Sequence, residues 1–135
     1  MTLPRIPIAA LWFFALLSIT EAFGRPPENA DSALAPWFQG QAIPGLGVSC
    51  CSQADGRAVD FRIVGDHYEA YLTKKAFPDA IDRDHWEPVP QNALLEHQNN
   101  PTGRAIAWVI PYEWQYGGHT YKRGSITCFV LPAMA

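Results

Sequence analysis

Three cysteines behind an apolar N-terminal run constrain this chain most: Cys50 and Cys51 are adjacent, and Cys128 lies near the other end. Arg5 is the only charge ahead of the run Ile6 to Ile19. One basic residue, a short apolar stretch and a small-residue exit make the pattern of an export signal. Small residues at the right spacing allow cleavage after Ala22 or after Gly24. The run is short for a bilayer span of ~20 residues, and Pro4 and Pro7 shorten any helix ahead of it. Residues 1–24 therefore read as a cleaved signal peptide, with no membrane span left after cleavage and a periplasmic or secreted destination.

An oxidising destination makes a disulfide the first use of the thiols. The odd count gives one pair and one spare. A bridge from Cys50 or Cys51 to Cys128 closes a loop of ~78 residues and ties the two ends of the domain together. A strand fixes the direction of Cys128, so only one of the adjacent pair is aimed at it, and spacing does not say which. The rival use is a thiolate metal site of Cys50, Cys51 and Cys128 with a histidine, suited to Cu(I) or Zn. Adjacent cysteines chelate one ion poorly, and no histidine stands at ligand spacing from them. A redox enzyme has less support still, because there is no C-x-x-C. No cofactor is implied.

About 110 residues follow the signal, which is one domain. At 48% hydrophobic and 13% aromatic, the chain has the material for a core. Its net charge of −3, without a basic stripe, argues against a nucleic-acid binder. Residues 25–47 read as a leader with one short helix, capped at Asp31 or Ser32 and running to Phe38 with Pro36 limiting its length. Residues 48–135 read as a β-rich domain. Val59, Phe61 and Ile63 alternate with Asp60 and Arg62, then Gly65-Asp66 turns the chain into Tyr68, Ala70 and Leu72. This predicts a hairpin. Thr73 to Arg83 is charged and irregular, Trp86 to Pro90 extended, and Gln91 to His97 a short helix begun by Pro90. Ala105 to Ile110 is apolar on both faces, which predicts a central strand. Gly117-Gly118 turns back into a last strand, with Ile126, Cys128 and Val130 expected on one face and Phe129 and Leu131 on the other. The expected fold is mainly β: a small antiparallel sheet curled into an open barrel, with one or two short helices.

Chemistry-bearing patterns are scarce. His67, His85, His97 and His119 form no H-x-H or H-E-x-x-H, and Gly45-Leu-Gly47 is no dinucleotide fingerprint. Asp79, Asp82, Asp84, His85 and Glu87 cluster without the rhythm of a calcium loop. No catalytic residue is assigned. Tyr112, Trp114 and Tyr116 stand out, because alternate positions of a hairpin arm share one face. Such a stripe stacks on sugar rings or anchors a protein partner.

Cys50-Cys-Ser-Gln-Ala-Asp-Gly56, Trp86-Glu-Pro-Val-Pro90, Asn100-Pro-Thr-Gly103 leading into Ala105 to Trp108, and Ile126-Thr-Cys-Phe-Val130 follow in order along the mature chain. This ordered set resembles an uncharacterised family of small exported bacterial proteins. The resemblance implies export, a single domain, and one structural unit holding the double cysteine, the aspartate-glycine turn and the strand cysteine. It implies no catalytic residues. The chain departs from the pattern in its charged Thr73–Arg83 segment and its long aromatic loop, the two places where a function of its own would lie. The expectation is an exported, non-enzymatic domain that binds a protein or an envelope polymer and carries a structural disulfide. The alternatives are a thiol-dependent metal or redox protein, and a small envelope hydrolase whose carboxylates converge only in the fold.

Overall fold

The structure, a computed structural model, describes residues 32–52, 54–96 and 99–133. The signal-peptide reading over 1–24, the leader through Asp31, and His97 lie outside those residues. Five antiparallel strands form one sheet in the order β3-β2-β1-β4-β5. They are β1 (Gly56–Val64), β2 (His67–Leu72), β3 (His85–Pro88), β4 (Ala105–Tyr116) and β5 (His119–Val130). One short helix, α1 (Ala35–Gln39), and three 3-10 turns complete the described secondary structure.

The sheet curls into a nearly closed barrel, and β1 is where it bends. Gly56 to Val59 pair with β4, whereas Asp60 to Val64 pair with β2. Its outer half thus leaves β4 and loses a covering layer. Val59 is buried, but Ile63, expected on the same face, is 67% exposed. The two edges of the sheet meet on the far side, where Arg123 Nε of β5 donates to Glu87 Oε2 of β3 at 2.7 Å.

The segment between β2 and β3 is more than a charged loop. Its turns are pinned by Thr73 O, which accepts the Phe77 N–H at 2.9 Å, and by Asp84 Oδ1, which accepts the Lys74 N–H at 2.7 Å. Phe77, Ala80 and Ile81 are buried and pack into the barrel core with Leu72, Val109 and Phe129. Gly124 of β5 makes room for them. A Cβ there would lie 2.5 Å from Val109 Cγ1 and 3.0 Å from Ile81 Cγ2. Glycine at this position is a requirement of packing, not of backbone angle.

β4 is central and buries both faces, because it carries a second core on the outside of the barrel. Phe38 of α1 packs edge-on to Trp108 at 5.9 Å, and Ile106, Cys128 and Val130 complete that layer. Pro36 lies in the first turn of α1, so it starts the helix rather than limiting it. Ile126 does not join Cys128 and Val130. Trp108 faces Cys128 while Val109 faces Ile126, which leaves Thr127 as the extra residue of a bulge. The bulge flips the alternation and sends Ile126 to the barrel core with Phe129.

The expected helix from Gln91 to His97 is shorter. A 3-10 turn spans Gln91–Ala93, after which Leu94 bridges Phe129 and the Leu95 N–H donates to Phe129 O at 2.8 Å. That backbone contact draws the chain out of helical geometry. The Asn100 turn has a plain structural role. Its buried Nδ2 donates to Arg104 O and Leu131 O, and its Oδ1 accepts from the N–H and hydroxyl of Thr102. Every hydrogen-bonding capacity of that amide is used to lock the start of β4 to the end of β5.

Candidate functional site

β4 and β5 are each 12 residues long, but β1 supports β4 only as far as Trp108. Beyond it the pair continues as a two-stranded ribbon. Gly117 and Gly118 close it at φ of 58° and 79°, angles that a two-residue hairpin turn demands and that glycine adopts without strain. The register pairs Tyr116 with His119, Trp114 with Tyr121 and Tyr112 with Arg123. All six side chains therefore share one face of the ribbon. Glu113 and Lys122 lie on the other, with Lys122 Nζ 3.4 Å from Glu113 Oε1.

The structure places Tyr112, Trp114 and Tyr116 in a row that is 61%, 41% and 77% exposed. Trp114 stacks on Tyr121 with ring centroids 5.6 Å apart and planes 20° apart. That cross-strand stack stiffens the ribbon and holds the ring face in a set orientation. Tyr112 lies 6.4 Å from Trp114.

A groove runs beside this row. One hollow of about 700 Å³ is lined by Trp114, Tyr116, His119, Thr120 and Tyr121 of the ribbon, with Lys122, and by Asp82 and Arg83 from the segment before β3. A second, of about 340 Å³, shares Arg83, Trp114 and Lys122 and adds His85, Trp86 and Arg123. Two hydrogen bonds hold the walls together. The Lys122 N–H donates to Asp82 Oδ2 at 2.6 Å, and the Asp82 N–H donates to Lys122 O at 3.3 Å. The Trp86 ring is already occupied, with Tyr71 at 5.0 Å and the Arg62 guanidinium at 4.2 Å.

Arg83, Trp86 and Arg123 were not singled out from the sequence as binding residues. They come from separate segments, and no spacing rule links them. The acidic cluster disperses into structural duties. Asp82 holds β5, Asp84 accepts the Lys74 N–H, and Glu87 binds both Arg123 and His85 Nε2. Among the described residues Asp82 is the one carboxylate lining the groove, whereas a glycosidase of the usual kind needs two flanking the scissile bond.

The cysteines take separate roles. Cys50 and Cys128 form a disulfide across 78 positions and are fully buried. Cys51 keeps its thiol. Its Sγ donates to Phe38 O at 3.3 Å and accepts the Trp108 Nε1–H at 3.4 Å. With two of the three sulfurs joined, the set Cys50, Cys51 and Cys128 offers a single free thiol. Burial pushes the Cys51 thiol up from its usual range; the Trp108 N–H, which favours thiolate, offsets part of this, and the Asp55 charge adds to the rise. A raised value means less thiolate at any given pH, so native alkylation by iodoacetamide should be slow. Its rate should reach its midpoint at higher pH than for the same chain in guanidinium. Coincident midpoints would show that burial does not govern this thiol.

No protein-family model, curated protein or solved structure matches this chain.

Proposed function

We propose that the protein is an exported, non-catalytic binding domain of the cell envelope, and that the aromatic face of the β4–β5 ribbon is its contact surface. One observation carries this reading: Tyr112, Trp114 and Tyr116 stand exposed on a ribbon that extends past β1's support of β4. Large aromatic groups left in water on one face are the usual mark of a contact surface. The buried Cys50–Cys128 disulfide supports export, as does the N-terminal pattern of Arg5 followed by Ile6 to Ile19. No helix among the described residues is long and apolar enough to cross a membrane. The ordered motif set supports placing the chain with the small exported bacterial proteins it resembles.

Cosedimentation with isolated bacterial envelopes tests the reading. Trp114→Ala should weaken binding about tenfold, as the loss of a central aromatic anchor does. Its thermal midpoint should stay close to that of the parent, because the side chain lies outside both cores. Equal retention of parent and variant would refute the ribbon as the contact surface.

A further inference from the structure

We infer that the groove beside the ribbon takes an acidic polysaccharide, a chain of pyranose rings carrying carboxylates, with the rings stacked along Trp114 and Tyr116 and a carboxylate held by Arg83. The inference rests on the binding reading above and names its ligand class. Charge is the first argument. The chain as a whole carries −3, and of the three cations lining the two hollows Lys122 pairs with Glu113 and Arg123 with Glu87, which leaves Arg83 as the one without a carboxylate of the chain among the described residues; Asp82 is the carboxylate of that lining. That carboxylate already accepts the Lys122 N–H.

Arg83 is the second argument. Arg57, Arg62, Arg104 and Arg123 each hold a carboxylate of the chain. Arg83 is exposed, lines both hollows, and has no carboxylate partner among the described residues. A guanidinium is suited to bidentate capture of a carboxylate. Shape is the third argument. The hollows, of about 700 and 340 Å³, share Trp114, Arg83 and Lys122 and so adjoin. The C–H face of a pyranose stacks on an aromatic ring, while His119, on the same face, supplies polar atoms for hydroxyls. An anionic bilayer fits less well. The ribbon's other face carries the Glu113 carboxylate, which insertion would have to strip of water.

Affinity electrophoresis of the full mature chain tests this, with polygalacturonate as the acidic probe, hydroxyethyl cellulose as the neutral one, and flotation with phosphatidylglycerol vesicles alongside. Polygalacturonate should retard the parent, the cellulose should not, and added salt should release it. Arg83→Ala should weaken retardation about tenfold and Arg83→Glu should abolish it. Circular dichroism of both variants confirms folding, and if the alanine variant is unfolded, Arg83→Gln takes its place. Equal retardation by the neutral polymer would overturn the acidic specificity while leaving the ribbon as a binding surface. Binding to vesicles alone, or retention unaffected at Arg83, would overturn the inference. Absence of retardation by either polymer would also overturn it, and the Trp114→Ala envelope experiment then decides the broader reading separately.

Discussion

Replacing Cys50 and Cys128 together by alanine should lower the thermal midpoint by roughly 15–20 °C. The bridge spans 78 positions, and closing a loop of that length restricts the unfolded chain by about 4.5 kcal/mol in the chain-entropy model. A domain of this size is stable by only about 5–15 kcal/mol, and each kcal/mol moves its midpoint by about 4 °C or more. Both sulfurs are fully buried, so truncation also empties space in the outer core. Thermal unfolding followed by circular dichroism, for the double variant and for the parent with reductant, measures the effect. A fall of only about 5 °C would mean that the unfolded chain is already compact and the bridge adds little. Cys51 sits next to the bridge, so a single Cys50→Ala variant should reveal its own partner choice. The contacts of Cys51 with Phe38 and Trp108 turn it away from Cys128, and no replacement bridge should appear in a peptide map.

Trp108→Ala should cost about 3–5 kcal/mol, the range for emptying a large aromatic site. Trp108 is fully buried and is the keystone of the outer core. Phe38 packs on it at 5.9 Å and Trp37 lies 6.4 Å away. The backbone of Gly56 lies so close that a Cβ there would stand 2.7 Å from the indole. With glycine opposite and a disulfide alongside, little can move in to fill the space. Urea denaturation gives the loss directly. A second readout separates this from a general loosening: Cys51, covered by the indole, should become faster to alkylate at a denaturant concentration where the barrel core is intact. Unchanged thiol reactivity would show that the outer layer does not shield Cys51.

How much of this was legible beforehand follows from what each feature depends on. The hairpins were legible because Gly65-Asp66 and Gly117-Gly118 are local turn chemistry between alternating segments. β4 announced itself as central because an apolar residue at every position from Ala105 to Ile110 leaves no face for water. The aromatic row was legible for the same reason, since period two is a property of the strand alone. Ile126 was not, because the bulge at Thr127 depends on how β5 lies against β4. The burial of Phe77 and Ile81 was hidden in a segment whose charges dominate its appearance, and it depends on the space left by Gly124, some forty positions away.

The sequence by itself determined the β class, the turns and the aromatic row, because each follows from periodicity or turn residues within a short stretch. Only the tertiary structure decided that Cys50 rather than Cys51 pairs with Cys128, and that Arg83 faces Trp114 across a groove. Both are contacts between segments far apart in the chain. The Asp82–Lys122 hydrogen bonds join the walls of the groove, and no local pattern of residues encodes either contact.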